Sequence, residues 1–261
     1  MYDFYDLNPR AEPSVQLLPT DAINYNGHWL DKEIAGFRTL TVSGRESFSR
    51  QVNAPDRSGD GAIYLNSRLE RRKIEVTFAL QAKESTTFNN EMAKLLQILS
   101  APNAKIVFND DVSFYYKGSV TSFDLDKPLL TTKGKFEIEC PDPYKYSDIR
   151  KVQGVEAAVT IHDDDILYPQ TPKTLEFIPS SNISSFSVTS MGKKLTLYET
   201  VAANSKIMVD FENLKIKVNE VSRLMSLDLS SNFGDFTIIN GGIVTFNAVG
   251  TYTIKYEVKR L

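Results

Sequence analysis

The sequence predicts a mainly β protein in two parts, an α+β unit followed by an all-β sandwich, and three observations predict it. Residues 72–82, "RKIEVTFALQA", alternate apolar and polar positions with the period of a half-buried strand. One stretch, "TTFNNEMAKLLQILSAP", repeats apolar residues at helical spacing. After Tyr146, strand-like runs recur about every ten residues between Asn, Gly, Ser and Pro clusters, which is the rhythm of a sandwich.

The chain opens on "MYDFYDLNPRAEPS", where acidic residues and prolines stand in place of the basic head and apolar run of a secretory signal. Synthesis and folding in the cytoplasm follow as the expectation. From Gly44 to Arg72 the sequence is polar, with turn signals at Pro55, Gly59, Asp60 and Gly61, and it reads as a projecting loop or hairpin arm. Eight arginines (Arg10, Arg38, Arg45, Arg50, Arg57, Arg68, Arg71, Arg72) lie in it or before it. Arg is enriched at protein interfaces, so Arg45, Phe48, Arg50, Arg57, Arg68 and Arg71 are the candidate oligomer interface, against the plainer reading of a solvated loop.

The strand after the arm puts Ile74, Val76, Phe78, Leu80 and Ala82 on one face. The helix, expected over about residues 88–100, puts Phe88, Met92, Leu95, Leu96 and Leu99 on a single stripe, with Thr87 or Asn89 as its cap and Pro102 as its stop. Next comes a hairpin, Ile106–Phe108 and Val112–Tyr116 about a turn at residues 109–111. "GKFEIEC" then turns Phe136, Ile138 and Cys140 inward.

At "ECPDPYKYSD" the texture changes. Pro141 and Pro143 cannot donate to a sheet ladder and hold their predecessors extended, so pairing ends there while the chain stays stiff. The expected domains are 1–146 and 147–261, with Pro141, Pro143, Tyr144 and Tyr146 as the interdomain linker. In the second part the expected strands are "EAAVTIH", "KTLEFIP", "FSVTS", "KLTLYET", "KIMVDF", "LKIKV", "DFTIIN", "GIVTFN" and "TYTIKYEV".

Little in this chain points to catalysis. A net charge of −3, spread evenly at −2 before Asp148 and −1 from it onward, gives neither half an electrostatic affinity for nucleic acid. No apolar run reaches the roughly 20 residues of a membrane helix. The lone cysteine excludes an internal disulfide, and at the end of an apolar strand face it reads as a small hydrophobe. His28 and His162 have no partner motif. The "HDDD" run at residues 162–165 and the pair Asp56 and Asp60 lack the spacing of a calcium loop and read as turns. The Asn182-Ile183-Ser184 sequon has no export signal beside it. No phosphate loop, dinucleotide fingerprint, HExxH or GxSxG occurs, so no cofactor, metal or catalytic residue is expected.

An ordered set of segments does carry a resemblance: "NYNGHWLDKEIAGFRTLTVSGRE", "DGAIYLNSRLERRKIEVTFAL", "NEMAKLLQILS", "IVFNDD", "FYYKGSV" and "FEIECPDPYKYS". The closing stretch from "VDFENLKIKVN" to "GTYTIKYEVKRL" adds to it. In this order they resemble the distal tail proteins (Dit) of long-tailed, non-contractile phages, strongly from about Ala22 to Ser147 and in texture only from Asp148 to Met208. The resemblance implies an N-terminal ring-forming domain with an extended arm and a C-terminal galectin-like sandwich. It also implies a structural role: a hexameric ring at the distal end of the virion tail, joining the tail-tube protein to the tail-tip or tail-lysin protein, with receptor-binding proteins attached outside. An arm reaching a neighbouring copy would supply the two unlike surfaces that a ring requires. A near-neutral lining suits a channel that must release DNA. Two rivals stay open. One is a carbohydrate-binding module for host glycans, although the single tryptophan, Trp29, lies outside the sandwich. The other is a tail-tube subunit.

Overall fold

The computed structural model describes residues 17–126 and 130–261. The opening stretch and Arg10 lie outside them. The chain divides between Pro143 and Tyr144 into two compact units.

The first unit is built from β1 (Ile23–Tyr25), β2 (His28–Trp29), the short α1 (Leu30–Glu33), β3 (Phe37–Ser43), β4 (Arg50–Asn53), β5 (Asn66–Leu69), β6 (Arg72–Gln81), α2 (Ser85–Leu99), β7 (Ala104–Phe108), β8 (Asp111–Leu125) and β9 (Thr131–Cys140). Seven strands run in the order β2-β1-β7-β8-β9-β6-β3, all antiparallel to their neighbours. Among the described residues β4 and β5 pair only with each other.

The alternation in β6 is realised: Ile74, Val76, Phe78 and Leu80 are wholly buried, and Ala82 packs at the margin of the same core. They meet Phe136, Ile138 and Cys140 of β9, also wholly buried. Phe78 is the hub of this core, its ring 5.0 Å from Phe37, 5.6 Å from Phe123 and 5.9 Å from Phe136. Gly134 stands opposite Phe78 because a Cβ there would come within 2.6 Å of that ring.

Two details of the helix differ from the expectation. α2 begins at Ser85, and Glu84 stands at its N-cap in extended conformation without a side-chain cap bond, so neither Thr87 nor Asn89 caps it. The first turn closes through the backbone instead, Phe88 N donating to Glu84 O at 2.9 Å. Phe88, Leu95 and Leu99 are buried and Met92 packs partly on the core, whereas Leu96 is turned to solvent. A stripe of that width exceeds the contact the sheet offers, and Leu96 falls off its edge.

The second unit comprises β10 (Lys145–Ser147), β11 (Arg150–Thr160), β12 (Thr174–Pro179), β13 (Phe186–Ser190), β14 (Lys193–Leu197), β15 (Ile207–Asp210), β16 (Lys215–Val218), β17 (Val221–Ser222), β18 (Ile243–Tyr256) and β19 (Lys259–Arg260), with a 3₁₀ turn at Leu224–Ser226. Its curled sheet runs β14-β13-β18-β12-β15-β16-β17, and β11 pairs along β18. The amino half of β18 pairs with β13 and its carboxyl half with β12. One strand therefore belongs to both arms of the sheet, which fold over a shared core. Phe177 of β12 lies 5.2 Å from Phe186 of β13 and 4.7 Å from Phe246 of β18.

Two expected strands merge and one disappears. "GIVTFN" and "TYTIKYEV" form the single strand β18, because the turn-like "NAVG" between them is a bulge, opposite the register shift at Glu156/Ala158. Gly250 sits at that bend; a Cβ would come within 2.4 Å of Ile178 O. "DFTIIN" buries Phe236 and Ile238 yet contributes only one bridge, Ile238 to Gln170. It fills the core without joining a ladder.

Candidate assembly interface

Gly44 to Arg72 folds as an antiparallel hairpin, with Arg50 opposite Leu69 and Asn53 opposite Asn66, extended by a bridge from Asp56 to Ala62. Asp56 and Asp60 belong to its tip, where Gly61 takes φ +84° and Arg57 N donates to Gly61 O at 3.1 Å. A two-stranded hairpin with no third strand is marginally stable in water. This one also leaves apolar side chains uncovered: Phe48 (60% exposed), Val52 (52%), Ile63 (45%), Tyr64 (63%) and Leu65 (57%).

The base of the arm is the opposite, rigid and buried. Arg72, the first residue of β6, is 5% exposed. Its guanidinium gives Nε to Pro143 O at 2.7 Å and Nη1 to the carbonyls of Gly44 (3.0 Å), Arg45 and Ser47 (2.6 Å), and it lies over the Tyr116 ring. Gly44 has φ +93°, and a Cβ on it would come within 2.1 Å of Lys73 O, so only glycine fits the chain's turn into the arm.

The sequence-predicted arginines separate into two kinds. Arg45 is committed inside the subunit: its side chain is 11% exposed, it grips Asp110 with both outer nitrogens at 2.6 Å, reaches Asp21 at 3.3 Å and covers the Phe108 ring at 4.5 Å. Burial opposes its charge, but the Asp110 hydrogen bonds together with the negative charges of Asp110, Glu46 and Asp21 more than offset that, raising its pKa above the usual value. Arg50, Arg57, Arg68 and Arg71 are on the surface with Phe48. Arg50 donates to Ser67 Oγ (3.0 Å), Arg68 to Gln51 Oε1 (2.9 Å) and Arg71 to Glu139 Oε1 (2.7 Å). Beside the arm base lies a groove of about 620 Å³, lined in part by Phe48, Arg68, Leu69, Arg71, Lys73 and Pro141. The arginines were legible, whereas the apolar members Val52, Ile63, Tyr64 and Leu65 were missed; the clue to the last three was the uninterrupted apolar run "AIYL" amid polar sequence.

Of the expected linker, Pro141 lines that groove and Pro143 O accepts from Arg72. Tyr144 and Tyr146 belong to the second unit: β10 pairs with β19, and Lys259 Nζ sits 3.9 Å from the Tyr144 ring and 5.8 Å from that of Tyr146.

The remaining polar candidates have internal roles. Among the described residues no three His, Cys, Asp or Glu side chains gather as a metal site. His28 bonds Glu33 at 2.7 Å and His162 is exposed. Burial pushes the Cys140 thiol up to about 12, so it is not a thiolate nucleophile. The "HDDD" turn ties the two ends of the second unit together. Asp163 takes Arg150 at 2.7 Å and Tyr256 Oη at 2.9 Å, while Asp165 takes Arg150 at 2.6 Å and Arg260 at 2.5 Å. The Arg150 hydrogen bond holds Asp165 below the usual 3.8, and burial, with the Asp163 bond behind it, lifts Tyr256 to about 12. A lowered carboxylate stabilises above its unfolded pKa and loses that contribution as pH falls through its folded one. A raised tyrosine stabilises below its unfolded pKa, 10.0, and loses that contribution as pH rises through about 12. The second unit should therefore weaken below pH 3.8 and again above pH 10.0. Unfolding midpoints followed across pH should show both limbs, with the acid limb flattened in Asp165→Asn and the alkaline limb in Tyr256→Phe.

Residues 32–139 match the family model described as a phage tail protein RIFT-related domain, and residues 169–259 match that of a siphovirus-type tail component, C-terminal domain. Comparison with curated proteins finds no match. Among solved structures the chain resembles the Dit protein of phage SPP1, described as a paradigm of the hub adsorption apparatus in phages infecting Gram-positive hosts. The TM-score is 0.75 at 17% identity, over 90% of this chain and 98% of that one. At that identity the likeness is one of fold. A chain of the phage P2 baseplate, in its activated conformation with Ca, matches at TM-score 0.41 and 9% identity over 85% of this chain and 91% of that one.

Proposed function

The chain belongs to the distal tail protein family of siphophages, structural components of the tail's distal end, and from that premise we propose that it closes a hexameric ring through its first unit. The observation that carries this reading is the β4–β5 arm. It is anchored at its base by a buried guanidinium, yet along its length it exposes five large apolar side chains that the subunit does not cover. Rigid anchoring with uncovered apolar surface is the expected state of an element that completes its packing on a neighbour. An arm leaving one surface and landing on a different one makes a heterologous contact, which closes into a ring when the rotation divides a full turn.

In this reading the ring joins the tail-tube protein on one side to the tail-tip or tail-lysin protein on the other. The second unit carries no part of the ring contact and is available to receptor-binding proteins. The role is structural, and the ring's assembly, not a reaction, is its output.

Replacing Phe48–Leu69 by a short Gly/Ser turn tests it. The variant should fold, since no member of the first core lies in that segment. Supplied in place of the native chain, it should be missing from purified tails. Normal incorporation, with rings visible by electron microscopy, would defeat the proposal.

A further inference from the structure

We infer that the arm tip of one copy, Ile63-Tyr64-Leu65, docks in the groove beside the arm base of the next copy, against Phe48, Leu69 and Pro141. This rests on the ring reading and adds to it the landing site. Both halves of the contact are on one polypeptide, and neither can satisfy the other within it. Along the hairpin Leu65 stands four residues and Ile63 six residues from Leu69, roughly 13–20 Å at the rise of a β-strand, so a chain's own Ile63–Leu65 segment is held away from its own groove. Only a second copy can bring them together.

The two surfaces are matched in chemistry. The tip presents three exposed apolar side chains, with Asp56 opposite Ala62 and Asp60 in the turn beside them. The groove offers apolar walls with Arg68, Arg71 and Lys73 at its rim beside Glu70. Arg71 is paired with Glu139 and Lys73 with Glu137, which leaves Arg68, bonded to the neutral Gln51, as the rim cation held by an uncharged group. Arg71 uses one nitrogen on Glu139 and Arg68 its Nε on the neutral Gln51, so each guanidinium keeps donors to offer. At about 620 Å³ the space falls within the roughly 300–1,000 Å³ of sites that bury a small ligand, enough for the side chains of a short strand segment. Because tip and groove differ, every copy both gives and receives, and the contact propagates in one direction.

The test uses the full chain in assembled tails. A photoreactive benzophenone side chain is placed at Tyr64, the chain is supplied to infected cells in place of the native copy, and purified tails are irradiated. The expected result is a ladder of covalent multimers of this chain, with the adduct on residues 47–49 or 68–73 of another copy. The reciprocal probe at Phe48 should mark residues 62–65. Adducts elsewhere on a second copy would overturn the landing site and leave the ring standing. Adducts only to other tail proteins, or none in tails that contain the chain, would overturn the landing site too. The ring itself is then judged separately by electron microscopy of the same tails.

Discussion

Arg72→Met should destabilise the first unit by about 3–5 kcal/mol, because it strips a charged donor from several carbonyls in a water-poor site. The methionine approximates the stem of arginine and keeps the apolar packing, so the loss reports the hydrogen bonds. Carbonyls of Gly44 and Ser47 that now share one guanidinium would have to find water or shift, and the turn into the arm would loosen with them. Thermal unfolding of that unit should fall by roughly 10 °C or more, and proteases should cut between residues 44 and 50 sooner than in the native chain. Arg72→Lys should recover only part, since an ammonium is a point charge without the planar fork that spans four acceptors. A change under about 1 kcal/mol in Arg72→Met would mean that the arm base is held by something else.

The second large effect belongs to the other unit. Phe177→Ala should cost about 3–5 kcal/mol, the range for emptying a buried aromatic site. Phe177 is wholly buried and touches Phe186 and Phe246 on two other strands, so its removal leaves a cavity where both arms of the sheet converge. The expected fall in midpoint is roughly 15 °C for a unit of this size. Calorimetry should show that transition move while the one sensitive to Arg72→Met stays in place. A shift of both by the same amount would show that the units unfold as one.

Much of the first unit was legible because its strands are amphipathic. Ile74, Val76, Phe78 and Leu80 announce both a strand and its buried face, and the helix stripe is equally plain. What escaped was set by distant residues. Leu96 has the spacing of a core position but lacks a surface to meet. "DFTIIN" has the composition of a strand, yet its neighbours already have partners, so its apolar residues are buried without a ladder. "NAVG" has turn composition, but the register with β11 absorbs it as a bulge. Along the arm the sequence advertised arginines, and two of them turned inward: the interface candidate Arg45 onto Asp110, and Arg72 at the arm's end onto backbone carbonyls. The charge of a side chain is visible in sequence, whereas the acceptor that claims it lies 65 residues away in one case and 71 in another.

The position of β18 bears on how the chain is made. β11, β12 and β13 all pair with it, and residues 243–256 leave the ribosome after all three. The first unit can complete its sheet while synthesis continues, but the second must wait with its strands unpaired and Phe177 and Phe186 exposed to water. Contacts this distant in sequence form slowly, and the waiting segment is open to aggregation. A polypeptide truncated before Ile243 would therefore keep a folded first unit attached to strands that lack their common partner.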